Sequence, residues 1–135
     1  MIVVDSSVWI DHFSGARSAQ VDALNRLLAI RGLPALVGDI VMYEVLCGLR
    51  SARQVSRIRR WFESLLLVTM LDFDLAPRAV ANYQTLRTRG ITPGTVDMII
   101  GTYCIETGAE LLTTDRDFVP MRDHLGLWLA VDEPA

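Results

Sequence analysis

The sequence predicts an α/β fold in which a central parallel sheet of four to five strands is flanked by helices on both faces. Short, wholly apolar, β-branched runs alternate along the chain with longer segments of helical periodicity. A strand that helices cover on both faces has this continuous apolar character, whereas a half-exposed strand alternates apolar and polar residues. The 135 residues, 51% of them hydrophobic, are enough for one ordinary domain, which we assign to residues 1–135.

The first half of the chain is predicted to contain two strands, each followed by helices. The opening strand stops at Asp5, because Ser6 and Ser7 interrupt it before a helical pattern begins at Val8. Asp39 follows the second strand and is expected to cap the next helix. The predicted elements are a strand at 2–4, helices at 8–13 and 21–30 (the second ending at Gly32 and Pro34), a strand at 35–37, and helices at 40–47 and about 52–66.

The second half continues the alternation with three predicted strands, the last of which would extend the sheet from four strands to five. Pro93 and Gly94 form a turn, and Thr95 is a good candidate for the N-cap of the helix that follows. Asp97 falls in the first turn of that helix. The predicted elements are strands at 66–70, 110–113 and 127–131, and helices at about 75–89, 96–107 and 118–125.

Composition excludes several classes of protein. No apolar run approaches the roughly 18 residues of a membrane span, and no basic region precedes the first apolar residues as in a signal peptide. All 13 basic residues are arginine, which argues against a P-loop, a Schiff-base enzyme and a phosphoacceptor domain, since these use lysine. Cys47 and Cys104 lack metal-ligand or redox spacing, and we expect both to be core thiols in a reducing cytoplasm.

Acidic residues recur where strands end and helices begin. Asp5 and Asp115 follow apolar strands, with Asp117 two residues further on. Asp97 lies in the first turn of one helix, and Glu44 lies about one turn into another. Parallel strands end at a common crevice in which open α/β sheets bind their ligands. These carboxylates are therefore predicted to converge there.

Four of these five carboxylates have a structural alternative. Asp5 and Asp117 could cap helices, and Asp97 could interact favourably with a helix dipole. Glu44 could face solvent, although its mostly apolar neighbours predict burial and hence a need for a partner. Carboxylates without histidine suit a hard cation such as Mg²⁺ or Mn²⁺, which activates water and stabilises the leaving oxygen of a phosphodiester. The simplest interpretation of this set of carboxylates is that the protein is a nuclease.

Four segments stand in this order along nearly the full chain: VVDSSVWID, YEVLCGL, PGTVDMIIGTYCIETG and LLTTDRDF. Each alone is a weak signal. Together, at this spacing and in a chain of this length, they resemble the PIN-domain proteins, and more narrowly the ribonuclease toxins of the VapBC toxin–antitoxin type. The resemblance implies a PIN-like fold and a Mg²⁺- or Mn²⁺-dependent endoribonuclease that cleaves tRNA, rRNA or mRNA.

The resemblance also implies the site and the partners. Carboxylates would be both catalytic and metal-binding, with hydroxyls in support. The implied catalytic residues are Asp5, Glu44, Asp97 and Asp115, the metal ligands are these four and Asp117, and the supporting hydroxyls are those of Ser7 and Thr113. A cytoplasmic location, a short antitoxin protein, a homodimer, and a heterotetramer or larger assembly with the antitoxin are implied as well.

A stripe of arginines is a further candidate contact. Arg50, Arg53, Arg57 and Arg60 recur at intervals of three and four residues, so they are predicted to share one face of a helix. The simple interpretation is a solvated face opposite a core face. The functional interpretation is a surface that meets RNA or the antitoxin.

Other functions stay open on the sequence alone. One is a catalytically inactive PIN-like module that only binds RNA or protein, against which the intact acidic set argues. Another is a nuclease directed at DNA. A phosphatase-type hydrolase with Asp5 as nucleophile is disfavoured, because such chemistry usually wants a second acid where Ser7 stands and because lysine is missing.

Overall fold

Four short strands alternate with seven α-helices in the computed structural model, which describes residues 1–30 and 35–132. The strands are β1 (Ile2–Val4), β2 (Ala35–Gly38), β3 (Leu66–Val68) and β4 (Glu110–Leu112). The helices are α1 (Ser6–Ser14), α2 (Ala19–Ala29), α3 (Asp39–Cys47), α4 (Ala52–Phe62), α5 (Leu75–Arg87), α6 (Thr95–Thr107) and α7 (Val119–Leu125), and a 3₁₀ turn (Arg116–Phe118) precedes α7. The alternation confirms the predicted α/β class.

The strands are parallel and lie in the order β3-β2-β1-β4. The chain runs in one direction from β1 through β2 to β3, then returns past both to β4. Right-handed crossovers therefore place α1 to α4 on one face, and α5 and α6 on the other. Helix packing agrees, since α1 contacts α2 and α3, whereas α5 contacts α6 and α7. The connections diverge at the carboxyl ends of β1 and β4, where such sheets bind ligands.

The strands differ in burial, and β3, at one edge of the sheet, is the most exposed of them. Val3 of β1, which pairs with Leu36 and Leu111 on either side, has no exposed surface. At the edge of the sheet, Leu66 and Leu67 of β3 are 51% and 44% exposed. Burial on both faces, predicted from the apolar runs, is therefore confirmed for Val3 and Val4 of β1 and for the apolar residues of its two neighbours, whereas Ile2 is only partly buried and β3 is largely exposed.

An aromatic cluster joins α1 to α4. Trp9 and Phe62 are fully buried, and their ring centroids lie 5.2 Å apart at 81°. Trp61 meets Trp9 at 5.5 Å and 83°, while Phe13 and His12 complete the group. Edge-to-face geometry of this kind is favourable for aromatic rings. The cluster fixes α4 against the helix whose first turn follows Asp5.

Several helix starts differ from the predictions by one or two residues. Helix α1 begins at Ser6 instead of Val8. Gly38 and Gly94, not Asp39 and Thr95, occupy the N-cap positions of α3 and α6. Asp39 lies inside the helix, where its Oδ1 accepts hydrogen bonds from the amides of Ile40 (2.8 Å) and Met70 (3.1 Å). The Asp39 side chain thus ties α3 to the segment after β3.

Two other predictions of secondary structure are wrong. Helix α4 ends at Phe62, four residues early, because Leu66 pairs with Leu36 in β3. The fifth strand is reduced to a single parallel bridge between Leu111 and Leu129, so the sheet has four strands among the described residues. The predicted helix end at Gly32 and Pro34 lies outside the described residues.

Two expectations from composition have different outcomes. Cys104 is fully buried, and burial raises the pKa of its thiol to about 12. Cys47, also expected in the core, is exposed near the C-terminus of α3, so that expectation is wrong. Within residues 1–30 and 35–132, no helix combines the length and the apolarity that crossing a membrane requires.

Candidate metal centre

Asp5 lies at the carboxyl end of β1 and is 3% exposed. Its amide donates to the carbonyl of Leu112 (2.9 Å), which anchors it to β4. The residue occupies the N-cap position of α1, but its side chain makes no capping hydrogen bond. Instead, Oδ2 accepts from the hydroxyls of Ser7 (2.7 Å) and Thr113 (2.9 Å). The capping alternative is therefore wrong for this carboxylate, which two hydroxyls orient.

The same two hydroxyls join β1 to the segment after β4. Ser7 Oγ accepts from the amide of Thr114 (3.1 Å), and Thr113 Oγ1 accepts from the amide of Asp115 (2.9 Å). The two hydroxyl oxygens are themselves 3.3 Å apart. Each hydroxyl thus donates to a carboxylate while accepting from the backbone, so its rotation is restricted. The network orients the Asp5 side chain and the start of the loop carrying Asp115.

Asp97, Asp115 and Asp117 form a compact cluster of carboxylates. One oxygen from each side chain lies within 4.8 Å of the other two, close enough to bind a single ion together. Asp97 comes from the first turn of α6. Asp115 caps the 3₁₀ turn, since its Oδ1 accepts from the amide of Asp117 (2.9 Å). Capping, suggested for Asp117 from the sequence, therefore falls to Asp115.

Glu44 approaches from α3, which packs on α1. Its Oε1 is buried and has no hydrogen-bond partner among the described residues. Burial raises the pKa of this carboxyl, and the charges of Asp5 and Asp115 raise it further, while hydrogen bonding from the Ser6 side chain opposes them. A buried carboxylate oxygen without a donor is costly unless a cation satisfies it. The environment of Glu44 is therefore one that a cation would stabilise.

Electrostatics joins the five carboxylates into one unit. The pKa of Asp97 is raised to about 7, mainly by burial and then by four neighbouring charges. Those charges belong, in decreasing order of effect, to Asp115, Asp5, Asp117 and Glu44. Burial also raises the pKa of Asp5, although Ser7, Thr113 and the Ser6 amide lower it. Repulsion among like charges of this kind is relieved by a bound cation.

The residues present fit a divalent metal ion. The donors are all carboxylate oxygens, which Mg²⁺ and Mn²⁺ prefer. No arginine forms an ion pair with any of these five carboxylates in the part of the chain that the structure describes. The buried Glu44 oxygen and the raised pKa of Asp97 both indicate negative charge that the protein itself does not neutralise.

The arginine stripe lies on a different surface. Arg53, Arg57 and Arg60 are exposed on α4, opposite the buried Ile58 and Phe62. Arg50, predicted on the same helix, precedes the N-cap residue Ser51 and is therefore outside it. The amphipathic pattern of α4 is therefore confirmed.

Ser6 is a residue of the site that the sequence did not indicate. Its backbone amide lowers the pKa of Asp5, and its side chain lowers that of Glu44. The sequence pattern indicates only that Ser6 interrupts the first strand. Its position as the first helical residue after a buried carboxylate was the available signal, since amides at a helix start favour nearby anions.

Comparison with known sequences identifies relatives over most of the chain. The profile of the PIN domain matches residues 2–122. Ribonuclease VapC11 of Mycobacterium tuberculosis is 27% identical over 119 residues, which cover 87% of this chain and 89% of that protein. The VapC ribonuclease of Mycobacterium bovis matches to the same extent.

Solved structures show the same architecture. A toxin–antitoxin complex from Klebsiella pneumoniae aligns with a TM-score of 0.66 and 26% identity, covering 87% of this chain and 90% of that one. VapBC2 of Rickettsia felis, bound to a DNA fragment from its promoter, aligns with a TM-score of 0.76 over 96% of this chain and 97% of that one. At 16% identity, the latter is a likeness of fold alone.

Proposed function

The chain belongs to the PIN domain family, and we propose that it is a metal-dependent endoribonuclease that acts as the toxin of a toxin–antitoxin pair. The observation that carries the proposal is the convergence of Asp97, Asp115 and Asp117 beside Asp5 and Glu44. The relatives named ribonucleases cover nearly the whole chain, which supports RNA as the substrate. The Klebsiella pneumoniae neighbour, a toxin–antitoxin complex, supports the toxin role.

The chemistry follows from the donor set. Asp97, Asp115 and Asp117 would hold Mg²⁺ or Mn²⁺, with Asp5 and Glu44 adding negative charge to the same crevice. Such an ion, when bound, activates a water and stabilises the leaving oxygen of a phosphodiester. The hydroxyls of Ser7 and Thr113 donate hydrogen bonds to Asp5 and so hold its carboxylate in a fixed orientation. Orientation of this kind reduces the reorganisation needed at the moment of reaction.

The proposal includes partners that the site itself does not identify. RNA is the substrate, and a short antitoxin protein encoded nearby is the inhibitor. A homodimer, and a heterotetramer or larger assembly with the antitoxin, follow from the family resemblance, as does a cytoplasmic location. A short reading frame beside this gene would support the antitoxin. The mass of the purified protein, measured alone and together with the protein that this reading frame encodes, would test the assembly.

Cleavage of RNA tests the catalytic part directly. Purified protein should cleave RNA in Mg²⁺ or Mn²⁺ and not in EDTA. Asp5→Asn and Asp97→Asn should each abolish cleavage, because a neutral amide loses the charge that binds the metal. Glu110→Gln is the matched control, since this exposed residue lies on β4 and also loses one negative charge. Normal cleavage by Asp97→Asn would overturn the assignment.

The same assay separates the other functions. An inactive binding module would retain RNA in a gel-shift experiment and cleave nothing at any concentration of Mn²⁺. A DNA-directed nuclease would cleave single- or double-stranded DNA in preference when both nucleic acids compete. The proposed toxin should favour RNA in that competition, and expression of Asp5→Asn should relieve the growth arrest that the wild-type protein causes.

A further inference from the structure

The positive charge of this protein is concentrated in one segment. Residues 45–62 contain five arginines and no Asp or Glu. Because the whole chain carries −3, the remaining residues sum to −8. The segment spans the end of α3, the turn that carries Arg50, and α4, which carries the other four arginines. A basic stripe on one helix face is the usual electrostatic signature of a surface that binds phosphates.

Helix α4 presents these arginines from a rigid base. Its opposite face is held in the aromatic cluster of Trp9, Trp61 and Phe62. At its start, Ser51 Oγ accepts from the amide of Gln54 (3.2 Å), and Gln54 Oε1 accepts from the amide of Arg50 (3.2 Å). These reciprocal bonds resemble a capping box and fix the backbone of Arg50 beside the helix. The backbone that carries the arginines is therefore held in place by contacts within the protein.

The charges on this face are not neutralised by the protein. Arg59, which is not part of this face, pairs with Glu63, the C-cap residue of α4, at 3.0 Å. Neither Arg53 nor Arg57 forms an ion pair or a side-chain hydrogen bond within residues 1–30 and 35–132. Both are exposed and one turn apart. Their guanidinium groups are available to bind phosphate oxygens in the bidentate manner that arginine favours.

The acidic crevice creates a need for such a surface. Five carboxylates repel a polyanion, and a single divalent ion neutralises only part of their charge. We propose that the α4 arginine face, comprising Arg50, Arg53, Arg57 and Arg60, binds the phosphate backbone of the RNA substrate at a distance from the bond that is cleaved. This inference rests on the proposed ribonuclease function. It adds the surface from which the RNA substrate gains part of its binding affinity.

The fold connects the two surfaces. Trp9 lies four residues after Asp5, or roughly 6 Å along α1, and its ring contacts Trp61, the neighbour of Arg60. The C-terminal end of the arginine face is thus adjacent to the helix that begins at the crevice. An RNA that contacts both surfaces must be longer than the few nucleotides around the cleaved bond, so the enzyme should favour such RNAs.

The test measures RNA binding as a function of salt. A fluorescein-labelled RNA hairpin is titrated with wild-type protein and with the double variant Arg53→Gln/Arg57→Gln in EDTA, so that cleavage does not interfere. Each lost phosphate contact should lower the slope of log K against log salt by about 0.9, so the double variant should lose about 1.8. Arg26→Gln/Arg89→Gln, which removes two exposed arginines elsewhere, is the control and should bind like the wild type.

The outcomes separate this inference from the proposed function. An unchanged slope in the α4 variant, or an equal loss in the control, overturns the inference. If the α4 variant loses binding to poly-glutamate but still binds RNA like the wild type, the face contacts an acidic protein partner. That result would also overturn the inference. On any RNA that the wild type cleaves, the α4 variant should raise KM and leave kcat unchanged. Absence of cleavage by the wild type would contradict the proposed function, whatever the salt slope shows.

Discussion

One helix, α1, serves two regions of opposite character. Its first turn carries Ser6 and Ser7 and follows Asp5, where burial and then neighbouring negative charges raise the pKa of Asp5 and Asp97. Its second and third turns carry Trp9 and Phe13, which pack against aromatic rings of α4. The first region costs folding free energy in the absence of metal, and the second supplies it.

The difference shows how a fold maintains a site that opposes folding. Carboxylates held together for a cation repel each other until the cation binds, so they need support from elsewhere. The aromatic cluster begins one helical turn after the acidic crevice, so the unfavourable residues are attached to some of the best-packed ones. Stability and function therefore divide along a single helix, and each half can be perturbed separately.

The largest expected effect comes from the aromatic region. Trp9→Ala removes a fully buried indole and should reduce the free energy of unfolding by about 3–5 kcal/mol. Trp128→Ala is the matched control, because Trp128 is 72% exposed and its loss should change stability by less than about 0.5 kcal/mol. Urea unfolding in EDTA measures both. Similar losses in the two variants would mean that the cluster contributes no special stability.

An intermediate effect is expected from metal in the acidic region. A divalent ion that binds the folded crevice and hardly binds the unfolded chain should stabilise the protein by about 2.7 kcal/mol at 100 times its dissociation constant. Asp97→Asn should shrink this gain, and Glu110→Gln should retain it. Thermal melts with EDTA and with millimolar Mn²⁺ measure the effect. A wild-type protein that melts at the same temperature in both would contradict convergence of the acids on a metal.

The smallest effect concerns pH without metal. The pKa of Asp97 is about 7 in the folded chain against an ordinary value of 3.8, so folding favours its protonated form. Its contribution to stability is therefore complete below about pH 4 and is lost as the pH rises through about 7. After allowance for solvent screening, we expect a loss of about 1 kcal/mol between pH 5 and 8 in EDTA.

Asp97→Asn sharpens this pH test. The variant should unfold with a flatter pH dependence than the wild type and should be the more stable protein at pH 8 in EDTA, because one repelling charge is gone. Chemical denaturation at several pH values measures both quantities. A variant that is less stable than the wild type at pH 8 would instead indicate that Asp97 serves mainly to stabilise the start of α6.

The sheet was largely predictable from the sequence, whereas element boundaries were less so. Buried parallel strands need continuous apolar residues, and Ile2, Val3 and Val4 show them directly. The end of α4 was not predictable, because the leucines from Leu65 onward fit both helical and strand periodicity. Pairing of Leu66 with Leu36 decides the matter, and that contact is between distant parts of the chain. The reduction of the predicted fifth strand to a single bridge at Leu129 likewise depends on its pairing with Leu111 of β4, and not on its own sequence.

The candidate site divides in a similar manner. Convergence of the acids was predictable, because the ends of parallel strands and the starts of helices share one edge of the sheet. Atomic detail was not. The hydroxyl of Thr113 reaches the carboxylate of Asp5 across 108 residues, and no local spacing encodes that distance. The role of Ser6 was missed, because its contribution depends on Glu44 arriving from another helix.

The aromatic cluster also gives the protein an internal optical reporter. Trp9 and Trp61 lie 5.5 Å apart, whereas Trp128 is largely exposed. An aqueous quencher should therefore reduce the fluorescence of Trp128 first, the half-buried Trp61 next and the buried Trp9 last. The remaining emission of Trp9 changes only when α4 separates from α1. Followed by stopped-flow fluorescence, it would show whether the helix that carries the arginine face detaches before or after the rest of the domain unfolds.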